Sequence, residues 1–249
     1  MDCIGILLSS SAMHYHKKLW QYLQDVLFPR FCLGCKKEGE VLCSICIKKI
    51  PIPGIFLCPN CCMDSENGIM CGKKCAKTMV LRQVISCVPY NENTLSGKVI
   101  RDMKYDYITE YNTIIAQHIA QFFVRFPGVL PEISMVVPVP LHKKRYIARG
   151  FNQAEYIAQS VSAVCNKPCG NVLTRTAHTK QQAHLTRQKR KTNMQNAFSL
   201  NIHTKGSVFG KHILLIDDVY TTGSTMNECA RVLKEAGASN IVGFTYARG

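Results

Sequence analysis

Apolar runs and amphipathic segments alternate along the chain after residue 80. The strongest run, HILLIDDVY (212–220), is apolar until it reaches two acids, which is typical of a central strand of a parallel sheet. Shorter runs predict four further strands, at 84–90, 135–142, 172–176 and 240–247, and the second of these is expected to end at its prolines. The pattern therefore predicts a sheet with acidic residues at the carboxyl end of one central strand.

Helical periodicity separates these runs. Apolar residues at three- and four-residue spacing, such as Ile115 and Ile119, predict a helix over 109–126. Three further segments show helical patterns, 95–105, 151–165 and 225–237. Gly237 is the expected C-terminal cap of the last one. Strands that alternate with helices predict an α/β fold with an open, mostly parallel sheet.

The N-terminal segment, residues 1–29, has a different character. Residues 14–29 predict one amphipathic helix, because their apolar side chains fall on one face. The opening MDCIGILLSSSAM has no basic residues before its short apolar stretch, so it does not resemble a secretory signal. The chain also contains no apolar run of about 18 residues, so we expect no stable membrane insertion and a cytoplasmic location.

Cysteine is concentrated in one part of the chain. Nine of the fourteen cysteines lie between Cys32 and Cys75. Eight of them form four closely spaced pairs, Cys32 and Cys35, Cys43 and Cys46, Cys58 and Cys61, and Cys71 and Cys75. Because two such pairs complete a closed site of four thiolates, the spacing predicts a double zinc-ribbon module over 30–77 with two structural zinc ions. The alternative is a set of buried or redox-active thiols.

The partners within each zinc site are left open by the spacing. Sequential pairing of neighbouring cysteine pairs is the first choice, and a cross-braced arrangement is the alternative. Cys62 lies beside Cys61 and could compete as a ligand. A closed all-thiolate site has no open coordination position, so no catalysis is expected there.

Positive charge is concentrated elsewhere. The formal net charge is +15, and residues 141–191 carry 11 Lys and Arg against one acid, Glu155. The basic residues that matter here fall into two sets, Lys143, Lys144, Arg145 and Arg149, and Arg187, Lys189, Arg190 and Lys191. The first set lies in a predicted loop that follows a strand. Because the carboxyl ends of strands line the ligand crevice of an open α/β sheet, these residues could hold pyrophosphate. Such a stretch also fits nucleic acid, and charge alone does not distinguish the two.

The segment ILLIDDVYTTGST (213–225) carries the most specific chemistry. Backbone N–H groups in a Thr/Gly/Ser-rich loop before a helix form an anion site. Hydroxyls of Thr221, Thr222, Ser224 and Thr225 add donors, and Gly223 permits close approach of the backbone. The two preceding acids, Asp217 and Asp218, suit the vicinal hydroxyls of a sugar.

This segment resembles the phosphoribosyl pyrophosphate (PRPP) motif of type I phosphoribosyltransferases. The resemblance implies that Asp217 and Asp218 hold the ribose hydroxyls, that Thr221–Thr225 hold the 5′-phosphate and that Mg²⁺ accompanies PRPP. Purine-salvage members carry a catalytic Asp where this chain has Thr221, which argues against 6-oxopurine salvage. The expected PRPP-binding set is Asp217, Asp218, Thr221, Thr222, Gly223, Ser224, Thr225, Arg145 and Arg149.

A wider resemblance covers residues 28–249. The cysteine pairs, VPVPLHKKRYIARGFNQAEYIA (137–158), RTAHTKQQAHLTRQKRKTNMQNAF (175–198) and the PRPP motif together resemble the ComF family. This implies a phosphoribosyltransferase-like domain over 80–249 and a role in DNA uptake during natural transformation. It also implies partners that include single-stranded DNA and other DNA-uptake or recombination proteins. The expected contacts with DNA or pyrophosphate are Lys143, Lys144, Arg187, Lys189, Arg190 and Lys191.

Two other functions remain open. The chain could be an active phosphoribosyltransferase of the amidophosphoribosyltransferase type, acting in nucleotide metabolism as a glycosyltransferase. It could also sense PRPP as a regulator without turnover. The catalytic residues and the acceptor substrate are not indicated by any motif.

Overall fold

A mostly parallel sheet forms the centre of the larger part of the protein. The computed structural model describes residues 29–105, 110–176, 196–204 and 206–249. Seven strands lie in these ranges, β1 (Ile55–Phe56), β2 (Gln83–Pro89), β3 (Met135–Pro138), β4 (Leu173–Arg175), β5 (Phe198–Leu200), β6 (His212–Tyr220) and β7 (Asn240–Arg248). The main sheet has the order β1-β2-β7-β6-β3, and β4 pairs with β5 in a small antiparallel sheet.

Helices connect these strands. The described ranges contain seven α-helices, α1 (Ser44–Lys48), α2 (Lys73–Ala76), α3 (Leu95–Tyr105), α4 (Glu110–Arg125), α5 (Lys143–Arg149), α6 (Gln153–Cys165) and α7 (Ser224–Glu235). Short 3-10 helices span Glu66–Gly68 and Ile202–Thr204. Within the described part of the chain, no helix combines the length and apolar character needed to cross a bilayer.

The chain divides into two compact units, Met1–Lys49 and Ile50–Gly249. The first cysteine group, Cys32 to Cys46, lies in the smaller unit, and the second, Cys58 to Cys75, lies in the larger unit. The predicted helix over 14–29 lies outside the described residues except for its last position.

Register places the functional loops at one edge of the main sheet. β6 runs parallel to both of its neighbours, with Ile216 opposite Pro138 of β3 and Asp217 opposite Thr245 of β7. The carboxyl ends of these strands therefore share one edge, and the segments that follow β3 and β6 leave the sheet side by side. This is the edge at which open α/β sheets bind ligands.

The core explains the continuous apolar run in β6. Ile213, Leu214, Leu215 and Ile216 are all buried, because both faces of the sheet are covered. Helix α6 packs against β3 and β6, and α7 packs against β6 and β7. A central strand buried on both faces holds the residues at its end in a fixed position.

The predicted end of the helix over 225–237 is confirmed. Helix α7 ends at Glu235, and Gly237 has φ +90°. The amide of Gly237 donates to the carbonyl of Lys234, and that of Ala238 donates to the carbonyl of Leu233. This is the Schellman arrangement, which favours glycine at the left-handed position.

One local prediction is confirmed and another is wrong. The strand expected within 135–142 ends at a proline as predicted, at Pro138, because proline has no amide hydrogen to continue the ladder. The segment that follows, expected to be a loop, is helix α5. His142 caps its start by accepting from the amide of Lys144, and Gly150 ends it in the left-handed conformation.

Candidate functional site

The loop after β6 has the geometry of an anion site. Gly223 is the N-cap of α7, with φ +72° and ψ +1°, and the 12-residue helix begins at Ser224. The hydroxyls of Thr222 and Ser224 lie 3.0 Å apart. Backbone amides at the start of a helix have no partner within the helix and carry partial positive charge, so this loop is suited to a phosphate group.

Glycine is required at position 223 for two reasons. Its φ lies in the left-handed region, and a Cβ atom there would lie 2.0 Å from the hydroxyl oxygen of Tyr220. Tyr220 is fully buried, so its ring has little room to move. The loop therefore lies directly against the Tyr220 hydroxyl.

We expect Gly223→Ala to destabilise the protein by about 1–3 kcal/mol more than Gly128→Ala, because it adds a steric overlap to the same backbone strain. Gly128 is a matched control, with φ +73° and no atom within 4 Å of its Cβ position. Urea unfolding of both variants measures the difference. Equal costs would show that the loop does not press on Tyr220.

The two acids at the end of β6 occupy different environments. Asp218 forms an ion pair with Lys104 of α3, with 2.9 Å between Oδ2 and Nζ. Asp217 is half-buried, and its Oδ1 accepts from the amide of Asp218. Burial and the neighbouring Asp218 carboxylate raise the pKa of Asp217 to about 7. Burial alone would lower the pKa of Lys104, but the Asp218 carboxylate raises it above its usual range.

Helices α5 and α6 contribute the facing side of the site. Asn152 caps α6 by accepting from the amide of Ala154, and its Nδ2 donates to the carbonyl of Val139 at 3.0 Å. The Gln153 side-chain oxygen accepts from the Arg149 guanidinium at 3.3 Å, and its side-chain nitrogen donates to the Met103 carbonyl at 3.5 Å. These contacts connect the segment after β3 to α6 and hold Arg149 near the end of α3.

These groups surround one cleft of about 330 Å³. Its polar lining is Tyr90, Lys104, Arg145, Arg149, Asn152, Gln153, Arg175, Asp217, Asp218, Thr221 and Thr225. Four cationic side chains thus face two carboxylates. Burial and the nearby Arg145 charge lower the pKa of Arg175 below its usual range. An anionic ligand would relieve this repulsion.

Comparison with known proteins agrees with this arrangement. The family model described as "Phosphoribosyl transferase domain" matches residues 153–246. The "Competence protein ComFC" of Bacillus subtilis (strain 168) is 30% identical over 239 residues, which cover 92% of this chain and 92% of that protein. This chain belongs to the ComF family.

One further relative and one solved structure are also similar to this chain. The "DNA utilization protein YhgH" of Salmonella typhi is 29% identical to this ComF-family chain over 221 residues, covering 86% of the chain and 94% of the relative. A B. subtilis glutamine PRPP amidotransferase structure covers 59% of this chain and 30% of its own, with 15% identity and a TM-score of 0.39. The predicted family and the predicted α/β fold with a phosphoribosyltransferase domain are confirmed.

The structure brings together part of the expected site of this ComF protein. Asp217, Asp218, Thr221 and Thr225 line the cleft together with Arg145 and Arg149. Thr222 and Gly223 form the middle of the loop, and Ser224 begins α7. Lys143 and Lys144 lie on α5 but are exposed and outside the cleft lining. The remaining expected basic residues, Arg187, Lys189, Arg190 and Lys191, lie outside the described residues.

Among the charged and aromatic lining residues, three were not expected. Lys104, Arg175 and Tyr90 reach the cleft from α3, β4 and the segment after β2. The Arg175 guanidinium also lies over the Phe198 ring at 5.2 Å. All three lie outside the PRPP motif, and the sequence offered only indirect signals: Tyr90 ends the predicted strand over 84–90, and Arg175 lies near the end of the one over 172–176.

Eight of the cysteines form two groups of four. In each group the sulfur atoms all lie within 4.8 Å of one another, and the grouping is the sequential one. Both groups begin with the same turn. The residue four positions after the first cysteine, Lys36 or Cys62, is left-handed and donates its amide to that cysteine's carbonyl. Cys62 occupies this turn position and is not a member of the second group.

Electrostatics favours a cation in each group. Although burial opposes ionisation, backbone amides such as those of Cys43 and Cys61 lower the pKa values of Cys32 and Cys58 to about 6. Burial and the neighbouring sulfurs raise the pKa of Cys46 to about 12. Four thiolates at this separation repel one another unless a cation lies between them, so the donor set fits a tetrahedral zinc ion.

Proposed function

We propose that this protein binds PRPP or a related phosphoribosyl compound with Mg²⁺, binds single-stranded DNA through a basic face, and acts in DNA uptake. The observation that carries the proposal is the cleft, in which the two acids, the loop at 221–225 (the phosphate loop) and two arginines face one another. The cleft thus offers separate groups for a sugar, a terminal phosphate and a second anionic group.

Each part of a phosphoribosyl pyrophosphate has a chemical partner in the cleft. The loop at the start of α7 suits the 5′-phosphate, and the carboxylates of Asp217 and Asp218 suit the ribose hydroxyls. Arg145 and Arg149 are one helical turn apart on α5 and suit the pyrophosphate. Lys104 holds the Asp218 carboxylate in place through its ion pair.

Magnesium fits this set of donors. Mg²⁺ prefers oxygen ligands and is commonly bound by one or two carboxylates together with substrate phosphates. Asp217 and Asp218 would provide the protein oxygens. When bound, the ion would neutralise part of the charge of the pyrophosphate. The raised pKa of Asp217 fits a carboxylate that is completed by a cation or by hydroxyl donors from the ligand.

The DNA part of the proposal rests on α5 and on the relatives. Arg145 and Arg149 line the cleft, whereas Lys143, Lys144, Tyr146 and Ile147 are exposed. Lysine charges beside an exposed aromatic ring suit a phosphate backbone with unstacked bases. The relatives are named for competence and for DNA utilization. Other DNA-uptake or recombination proteins are proposed as further partners.

We expect the variant Lys143→Glu/Lys144→Glu to bind an unstructured oligothymidylate more weakly and with a shallower salt dependence. Each lost phosphate contact should reduce the slope of log K against log salt by about 0.7, so two lost contacts should reduce it by about 1.4. Lys48→Glu/Lys49→Glu is a control with the same charge change on exposed residues of the smaller unit. Unchanged slopes, or equal losses in both variants, would place the DNA elsewhere.

Zinc and location complete the proposal. The two cysteine groups would each hold one structural zinc, because four thiolates leave no coordination position for a substrate. Reduced thiols and thiolate-bound zinc are typical of the cytoplasm, where we propose that the protein acts.

A second candidate function is turnover of PRPP, favoured by the match to the phosphoribosyl transferase model. A nucleophile would attack C1 of the ribose as pyrophosphate leaves. The described lining contains no carboxylate besides Asp217 and Asp218, and Thr221 lies where salvage enzymes carry an Asp. The acceptor would therefore have to be nucleophilic without a protein base. Pyrophosphate release with a panel of amines and bases distinguishes turnover from binding alone, the behaviour of a PRPP-sensing regulator.

A further inference from the structure

The second cysteine group lies against the residue that supports the phosphate loop. The Tyr220 hydroxyl donates to the carbonyl of Pro59 at 2.8 Å, in a buried position. Pro59 follows Cys58, the first cysteine of the group. The same hydroxyl is the atom that a side chain at Gly223 would meet. One tyrosine therefore contacts the cysteine turn and the phosphate loop through the same oxygen.

Arg248 strengthens this connection. Its guanidinium lies over the Tyr220 ring at 4.7 Å and donates to the carbonyl of Cys58 at 3.3 Å. It also donates to the Cys62 sulfur at 3.4 Å. Arg248 is buried, so these contacts fix its charge between the ring and the cysteine turn. The carbonyls of Cys58 and Pro59 thus accept hydrogen bonds from Arg248 of β7 and Tyr220 of β6.

A second contact joins residues 80–81, which follow the second cysteine group, to α7, which follows the phosphate loop. The Asn227 side chain in α7 accepts from the amides of Val80 at 2.7 Å and Leu81 at 3.3 Å. Tyr220, before the phosphate loop, therefore contacts the turn of the second cysteine group. Asn227, after the loop, contacts the segment that follows this group. Nothing in the sequence spacing indicates this, since the partners are about 150 residues apart.

We propose that metal binding at Cys58, Cys61, Cys71 and Cys75 fixes the conformation of the phosphate loop, with Tyr220 as the positioning residue between them. A bound metal would hold the turn at Cys58 in one conformation, which fixes the direction of the Pro59 carbonyl and hence of the Tyr220 hydroxyl. The loop lies on that hydroxyl. The part of this inference that concerns phosphoribosyl affinity rests on the proposed function, and the part that concerns loop conformation does not.

Amide hydrogen exchange of residues 221–227 tests the loop without any ligand. We expect Cys71→Ser to accelerate exchange there about tenfold or more, because the loop loses its support. Cys35→Ser is the matched control, since it removes an exposed thiol from the other group, which contains neither Pro59 nor Arg248. It should leave exchange within about twofold of the wild type. Equal exchange in the wild type and Cys71→Ser would overturn the proposal, as would equal acceleration in both variants.

Zinc release to a chromogenic chelator tests Tyr220 in a folded background. Tyr220→Phe should release the zinc of the second group about tenfold faster than the wild type, because the Pro59 carbonyl loses its buried donor. Tyr246→Phe is the control, since it removes a buried tyrosine hydroxyl that contacts His118 instead. Identical release from the two variants would contradict a special role for Tyr220.

Zinc release measured with and without PRPP and Mg²⁺ separates this inference from the proposed function. Coupling between two sites is reciprocal in binding free energy, so PRPP with Mg²⁺ should tighten zinc binding by the second group. With an unchanged rate of zinc association, zinc release from the wild type should then slow about tenfold. Tyr220→Phe should abolish that protection, which a purely structural role would leave intact. If PRPP fails to bind the wild type while the exchange result holds, the proposed ligand is wrong and the link to the loop stands. If PRPP binds with no effect on zinc release from either protein, the link is wrong.

Discussion

Cys46→Ser is expected to leave one zinc ion per chain and to unfold the cysteine turns of the smaller unit. Cys46 is buried in the first group, and the described part of this unit, residues 29–49, has only a few other buried apolar side chains, such as Val41 and Leu42. So short a segment cannot bury enough surface to fold without a metal. Structural zinc contributes about 10–16 kcal/mol in peptides of this kind, so the expected effect is a loss of structure and not a small shift.

Zinc content by mass spectrometry and amide exchange over 29–49 measure this result. Cys229→Ser is the control, because it changes a buried thiol in α7 that belongs to neither group. A serine within a helix can donate to the carbonyl one turn earlier, so this variant should keep two zinc ions. Two zinc ions in Cys46→Ser, or unchanged exchange over 29–49, would show that the first group is not a structural metal site.

Arg145→Ala/Arg149→Ala should weaken binding of PRPP with Mg²⁺ by about 100-fold or more. Each arginine lost from a charge-assisted hydrogen bond costs about 1.5–3 kcal/mol, and about 2.7 kcal/mol corresponds to 100-fold. Lys143→Ala/Lys144→Ala is a control on the same helix, with the same charge change on exposed residues. It should change the affinity by no more than about threefold.

Isothermal titration at constant salt and magnesium distinguishes these variants. If both pairs weaken binding equally, the effect comes from the general positive potential of α5 and not from contacts inside the cleft. That result would remove the assignment of Arg145 and Arg149 to the pyrophosphate.

The elements that the sequence predicted well are those with a strong local pattern. The run before Asp217, the loop to Thr225 and the helix that Gly237 ends are continuous in sequence, so periodicity and glycine chemistry were sufficient to place them. The four cysteine pairs followed in the same way from short spacings, whereas the choice between sequential and cross-braced grouping required the structure. In these segments the physical constraint lies between neighbours along the chain.

What sequence reasoning missed depends on contacts between distant segments or on local caps. KKRYIAR in α5 has no apolar stripe, and its helix depends on the cap at His142 and the left-handed Gly150. Lys104 pairs with an acid 114 residues away, and no motif indicates that pair. The contact of Tyr220 with Pro59 is of the same kind, because a tyrosine at the end of a strand gives no sign of its partner.

The central claim is that the cleft at the end of β6 binds a phosphoribosyl pyrophosphate through Asp217 and Asp218. The most direct measurement is titration of PRPP with Mg²⁺ into the wild type and into Asp217→Asn/Asp218→Asn, which keeps the size of both side chains and removes their charge. We expect saturable binding at one site per chain in the wild type and a loss of about 100-fold or more in the variant, with its melting temperature checked alongside. Equal affinities of the two proteins, or no binding to the wild type, would contradict the claim.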